Sequence, residues 1–402
     1  MAWVRPSPGL RLMGGVRRED PLRDSSSLRV LHLYPKGDFF TGAAIQVWDL
    51  VRGLRARGHD IVLATRPDSH WASRAAGAGI THYGLPMTSE LDLRSVLGLI
   101  RVLRRHRIEV VHAHKGRART LILLAGLFTG TPVLVLSRGV SFPLDRFNRL
   151  GYTSRRVTAI IAVCEAIKAS LVQAGVPEAK IHVIYSGTDT ERFHPGVDRA
   201  RIRDELGLTT EQFLVTQVGV RTDKGNDDLM EAMATVAALA PSAHLLMVGA
   251  RDPQSLYARA QRLGLKRNFH VLGYREDVPE ILAGSNCCVD ASYRGLGLTG
   301  TLRESLAVAT PVVATAIEGN PELVIDGETG LLVPPRDVPA LARAITRVMS
   351  DPVTARQTAE AGRRRVQLLF STRRKVERVE ALYRELVAAH RQQARERVIL
   401  GP

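Results

Sequence analysis

Arg221 and Lys224 stand three positions apart in "VGVRTDKGNDDLMEA", Val218–Ala232. An apolar run ends at Gly219, and a helix-period segment opens after Gly225. Two cations at the carboxyl end of a strand, beside a helix N-terminus, suit a diphosphate. The guanidinium grips two oxygens, the ammonium adds a point charge, and the helix end adds N–H donors. The alternative is a solvated turn with two surface cations. The P-loop string is absent.

A second stretch, "RGLGLTGTLRESLA", runs from Arg294 to Ala307. Gly295, Gly297 and Gly300 allow close backbone approach, and Thr299–Thr301 open a helix whose free N–H groups suit an anion or sugar hydroxyls. Glu304 lies about one turn into that helix. It is either a partner for the helix dipole or an acceptor for two vicinal hydroxyls, as acids are with ribose. In "VVHAHKGRART", His112 and His114 alternate at a strand's carboxyl end and face one way. As a zinc pair they lack a third ligand nearby in sequence. A cleft histidine hydrogen-bonding a sugar or leaving group is better motivated, with a satisfied structural histidine as the alternative. Gly37 and Gly42 lie in the loop "YPKGDFFTG", where Rossmann-type domains place phosphate-binding glycines. GxGxxG is absent, which disfavours a dinucleotide dehydrogenase.

The elements that position these residues alternate short apolar runs with amphipathic segments. "LRVLHLY", "HDIVLATR", "IEVVHAH" and "AIIAVCE" read as strands in the first half, and "QFLVTQVGV", "HLLMVGA", "NFHVLGY", "CCVDAS" and "PVVAT" in the second. Near-continuous apolar strands, each followed by a helix, indicate parallel sheets covered on both faces. The chain has 402 residues, 45% apolar and 24% charged, so two doubly wound α/β domains are expected. "IYSGTDTERFHPG", with Gly187, Pro195 and Gly196, reads as the hinge, with the boundary near 190. Ligands of such sheets bind beyond the strands' carboxyl ends, which makes the cleft the default site.

Residues 1–27 are polar and arginine-rich and read as a disordered basic tail. Gly130 and Pro132 cut the uncharged stretch Thr120–Ser137 into a buried helix and a buried strand, each too short to span a membrane. Cys164, Cys287 and Cys288 form no disulfide framework, and a cytoplasmic location fits them. The net charge of +16 calls for an anionic partner. Eight Lys/Arg and one acid, Glu109, fall between Arg94 and Arg119. Leu93, Val96, Leu97, Ile100 and Leu103 form a helix stripe there, beside Arg94, Arg101 and Arg105. The segment is either a membrane-docking face or a solvated basic helix.

Together these stretches resemble the retaining glycosyltransferases of family 4, which have the GT-B fold of two Rossmann-like domains facing a cleft. The resemblance runs from about residue 28 to 390. It is carried by "TGAAIQVWDLVRGLRARGHDI", "VVHAHKG", "AVCEAIKASLVQAGVPEAKIHVIYSGTDTERFHP", "VGVRTDKG", "HVLGYREDVPEILAGSNCCVDAS" and "RESLAVATPVVATAIEGNPELVIDGETGLLVPPRD". It implies an acceptor-side domain at 28–189, a nucleotide-sugar-binding domain at 190–372, and a final segment, 373–402, with a helix crossing back to the first domain. The implied activity moves a sugar from a nucleotide-diphosphate donor to a glycan, glycolipid or other cell-envelope acceptor. Arg221 and Lys224 would hold the diphosphate. Gly297, Leu298, Thr299, Gly300 and Thr301 would meet phosphate and sugar oxygens, and Glu304 the ribose. The backbone of Gly273, Tyr274 and Arg275 would contact the base. Gly42 would lie near the diphosphate, and His114 near the transferred sugar.

The glutamates of the family's usual pair are separated by seven residues, and counting back from Glu304 lands on Leu296. Thr41, Ala44 and Cys164 also replace residues common in the family, and the arginine-to-lysine spacing is short. No Asp-x-Asp motif occurs, so no cofactor or obligatory metal is implied. The expected location is cytoplasmic, with peripheral attachment to the inner face of the membrane through the 94–119 segment. Two other classes stay open. One is a GT-B protein that binds nucleotide sugars without transferring them, or an epimerase, which Leu296 favours. The other is a nucleic-acid-binding protein, which the charge favours, although aromatics are 5% and no nucleic-acid signature appears.

Overall fold

The apolar runs become the strands of two parallel sheets in a computed structural model, which describes residues 27–37, 41–67, 69–130, 132–294 and 297–399. The tail at 1–26, together with Gly295 and Leu296, lies outside the described residues. The first sheet holds β1 (Arg29–Tyr34), β2 (Asp60–Thr65), β3 (Thr81–Gly84), β4 (Val110–His114), β5 (Val133–Arg138), β6 (Ala159–Ala162) and β7 (Ile181–Val183), in the order β3-β2-β1-β4-β5-β6-β7. The second holds β8 (Phe213–Val218), β9 (Ala243–Val248), β10 (Phe269–Leu272), β11 (Cys287–Asp290), β12 (Val312–Thr315) and β13 (Leu331–Val333), in the order β10-β9-β8-β11-β12-β13. Every residue of β4, β6, β9, β11 and β12 is buried, as sheets covered on both faces require. In each sheet the order reverses beside the first strand, β1 or β8. That crevice is where such folds bind ligands.

Local chemistry sets the helix ends. Thr41 caps the helix Gly42–Ala56 by accepting from Ala44 N–H at 3.3 Å, and Asp92 caps Leu93–His106 through Ser95 N–H at 3.2 Å. The stretch Thr120–Ser137 divides into the end of the helix Gly116–Ala125 and the strand β5. Among the described residues, no helix is long and apolar enough to cross a membrane.

The last helix, Thr372–Ile399, leaves the second sheet and packs on the first. Val376, Val379, Leu382, Tyr383 and Val387 enter the same apolar cluster as Val30, Val47, Leu50, Val110 and Val135. Burying side chains of this size stabilises by about 1.5–3 kcal/mol each. Behind them Glu380 accepts from His59 at 3.0 Å and pairs with Arg57.

The chain crosses between the sheets twice, and the crossings are bonded to each other. Thr188 N–H donates to Phe370 O, and Thr372 N–H to Thr188 O, each at 2.8 Å. Gly187 is required here, because a Cβ would come within 2.5 Å of Thr372 Cα. The Gln46 amide grips Gly187 on both sides, donating to its carbonyl at 2.6 Å and accepting its N–H at 2.9 Å.

Candidate functional site

The turn after β8 is built on two left-handed glycines, Gly219 (φ +87) and Gly225 (φ +63). Gly225 packs so tightly that a Cβ would lie 2.0 Å from Ala291 O. Between them Arg221 keeps its side chain exposed, while its carbonyl accepts from Lys224 N–H at 3.0 Å and Asn226 Nδ2 at 2.9 Å. Lys224 differs from its sequence reading as an open point charge. It is 3% exposed, and its ammonium donates to Asp290, at the end of β11 and 2% exposed. The acid sets the lysine's position, because neither charge is stable in this interior without the other. The loop after β11 is tied to the same turn. Arg294 pairs with Asp223 at 2.9 Å, and Tyr293 OH donates to Thr222 O at 3.1 Å.

That loop delivers the helix Gly300–Ala307. Its N-cap, Thr299, makes no side-chain capping bond, and its buried hydroxyl has no hydrogen-bond partner. Leu298 anchors the loop in the core, and Thr301 Oγ1 donates to Val218 O at 3.4 Å. The Glu304 carboxylate turns back toward the helix start, 3.7 Å from where a Gly300 Cβ would stand. Burial raises its pKa. Arg303, Arg192 and Lys224 oppose that, while Asp49 of the first domain reinforces it. The free helix end, orphaned hydroxyl and carboxylate can together hold an anion and neighbouring hydroxyls.

Gly42 opens the first helix, and among the described residues nothing lies within 4 Å of its Cβ position. Gly273, Tyr274 and Arg275 follow β10. The Arg275 guanidinium is engaged by Glu205 at 2.6 and 2.8 Å and by Asp277 at 2.6 and 2.7 Å, and the Gly273 carbonyl accepts from Gly249 N–H at 3.0 Å. Tyr274 is 60% exposed. An open cavity of about 710 Å³ flanks this segment, lined by Arg192, Arg201, Glu205, Arg275 and Glu276 among others. Arg221, Lys224, Thr299 and Glu304 do not line it.

The histidines behave differently from each other. His112 is turned inward, bonded to Tyr383 OH at 2.5 Å and Ser137 Oγ at 2.6 Å, and is a satisfied structural residue. His114 Nε2 meets His32 Nδ1 at 3.0 Å, and the two rings stack at 5.3 Å. His32 sits opposite His112 in the β1–β4 register and supplies the third imidazole that spacing along the chain could not show. One nitrogen from each of the three rings lies within 4.8 Å of the others, close enough to share one ion. Burial and the Lys375 cation depress all three, His32 to about 3. With their pKa values depressed the three rings are neutral imidazoles, and a 3.0 Å bond joins His32 to His114.

Two family models tile most of the chain. Residues 40–192 match Glycosyltransferase Family 4, and residues 198–365 match Glycosyl transferases group 1. The chain is a family 4 glycosyltransferase. The alpha-maltose-1-phosphate synthase of Mycolicibacterium smegmatis is 28% identical to it over 88% of this chain and 98% of the relative. The UDP-Gal:alpha-D-GlcNAc-diphosphoundecaprenol alpha-1,3-galactosyltransferase of Escherichia coli is 24% identical over 74% and 80%. A glycosyltransferase from Rickettsia africae superposes with a TM-score of 0.81 at 19% identity, covering 90% of this chain and 99% of that one. Anabaena HepE, solved with UDP, superposes with a TM-score of 0.79 at 21% identity, covering 89% and 100%. The fold is GT-B.

In this glycosyltransferase, distance along the chain hid several polar groups of the cleft. Lys375, on the last helix, donates to Gln46 O at 2.8 Å and Gln46 Oε1 at 3.0 Å. Burial brings its pKa down to about 7, with Asp49 opposing and Arg303 assisting. An unfolded lysine titrates near 10.4, so between about pH 7 and 10.4 the unfolded chain binds the extra proton. Stability from this group therefore rises with pH across that window and is flat below it. Denaturant midpoints at pH 6.5 and 9 should show this rise in the wild type relative to Lys375→Met. Equal pH slopes in the two proteins would remove the assignment.

Proposed function

We propose that this glycosyltransferase transfers a sugar, with retention at the anomeric carbon, from a nucleotide-diphosphate donor to a lipid-linked or glycan acceptor of the cell envelope. The observation that carries this reading is the buried, unpartnered Thr299 hydroxyl at an uncapped helix start toward which the Glu304 carboxylate turns. Such a group costs free energy unless a ligand pairs with it. Arg221, the Lys224–Asp290 pair and the N–H groups of Thr299, Gly300 and Thr301 stabilise the departing diphosphate. Glu304 clamps the ribose, the Gly273–Arg275 backbone takes the base, and Gly42 lets the first domain approach. His114 hydrogen-bonds the transferred sugar. The acceptor hydroxyl attacks from the leaving-group face, and the departing phosphate takes its proton. With the leaving group activated in this way, the paired carboxylates of a glycosidase are not needed, and no metal is assigned a role. UDP in HepE and UDP-galactose in the name of the E. coli relative make a uridine nucleotide the first donor to try.

A thermal-shift series with UDP, GDP, ADP and their sugar conjugates tests the donor site. A nucleotide at a hundred times its Kd should add about 2.7 kcal/mol. A flat series would sink the reading. Release of UDP from a UDP-sugar only when acceptor is added separates a transferase from a binding protein or an epimerase.

The same reading places the protein against an anionic inner-leaflet surface. On the helix Leu93–His106, Val96, Leu99 and Leu103 face the core, whereas Leu93 and Leu97 leave the expected stripe and are 71% and 53% exposed. They stand beside exposed Arg94, Arg101 and Arg105. Apolar side chains among cations are suited to an anionic bilayer. Sedimentation with vesicles should show binding that requires anionic lipid and is lost in Leu93→Glu/Leu97→Glu. Equal sedimentation with neutral vesicles would remove this part.

A further inference from the structure

Glu318 stands between β12 and the short helix Asn320–Leu323, with its backbone in the left-handed region at φ +46. Glycine enters this region freely, whereas a glutamate there is strained and is held by its surroundings. Its carboxylate reaches two loops. One oxygen accepts from Gly297 N–H, in the loop that leads to Thr299 and the helix Gly300–Ala307. The other accepts from the Ser141 hydroxyl, in the first domain after β5. Gly319 N–H adds a bond to the Gly297 carbonyl at 3.1 Å. Gly297 is itself pressed against the first domain, where a Cβ would come within 2.8 Å of Gly139 O. The carboxylate thus lies in the seam between the domains, on the backbone of the glycine loop. From Arg294 to Ala307 that loop and helix carry one acid, Glu304, which faces Gly300.

We propose that Glu318 binds hydroxyls of the transferred sugar, with the Ser141 hydroxyl occupying that place here. The inference rests on the donor reading above. A carboxylate offers several lone pairs and no donor, so it suits hydroxyls, and the one it already holds is of the kind a sugar presents. Strained backbone of this kind recurs at ligand sites, which fits a binding role for the side chain it carries.

Calorimetry with UDP, UDP-glucose, UDP-galactose, UDP-N-acetylglucosamine, GDP and GDP-mannose tests this on wild type, Glu318→Gln, Glu318→Gly and Ser141→Ala. Glu318→Gly suits φ +46, so it keeps the test open if another variant folds poorly. In all variants the nucleoside diphosphate should bind within about twofold of wild type. The extra affinity of the matching sugar nucleotide over its nucleotide should fall by about tenfold or more in the Gln and Gly variants, as loss of a hydrogen bond to a charged group predicts. Ser141→Ala should keep that extra affinity. If the Gln and Gly variants keep it, Glu318 is a domain latch and the proposal is overturned. If wild type binds none of the nucleotides, the donor reading fails first, and the proposal falls with it.

Discussion

Lys224→Met is expected to destabilise the protein by about 3–5 kcal/mol, because it strands the Asp290 carboxylate in the interior. Both partners are almost fully buried, and the ammonium donates directly to the acid. Asp290 also accepts from Ser292 N–H at 3.3 Å, which does not replace a charge. For a domain of this size the loss corresponds to a fall in Tm of roughly 10 °C or more. Lys224→Met/Asp290→Asn should recover most of it, since removing both charges of a buried pair is often near neutral. A single variant that melts with wild type would show that the pair does not support the fold. The double variant then asks the separate question of whether the lysine also serves the donor.

The largest effect on activity is expected from Arg221→Ala. The residue is exposed on a turn whose shape depends on its backbone, so stability should stay within about 0.5 kcal/mol of wild type. Removing a preorganised cation from a departing diphosphate should lower kcat/KM by about 10²–10³-fold. Arg221→Lys should restore little, because an ammonium lacks the planar fork that grips two oxygens. Initial rates of nucleoside diphosphate release check this. Turnover by Arg221→Ala close to wild type would remove Arg221 from the assigned role.

The two sheets were legible because their strands are buried on both faces and read as apolar runs, "HLLMVGA" for β9 and "CCVDAS" for β11. Arg221, Thr299 and Glu304 could be named as candidates because each lies within a few residues of a strand end or helix start. The groups that fix their chemistry could not. Asp290 lies 66 positions from Lys224, and Gln46 lies 329 from Lys375. His32 meets His114 because β1 pairs with β4, a neighbour relation that strand periodicity does not contain. Alternation along β4 made His112 and His114 equivalent. Tyr383, from the far end of the chain, closes off His112, whereas His114 meets His32. The stripe on the helix Leu93–His106 failed at Leu93 and Leu97, because the core reaches only the face carrying Val96, Leu99 and Leu103.

The last helix completes the core of the first sheet, and this sets an order of assembly during translation. The first sheet leaves the ribosome before the second, yet the apolar face that receives Val376, Val379, Leu382 and Tyr383 stays uncovered until those residues have been made. The second sheet, continuous from β8 to β13, is covered sooner after its last strand, by residues up to Phe370. The sheet made first is therefore the one sealed last, and until then its uncovered face is exposed apolar surface of the kind that makes partly folded chains prone to aggregation.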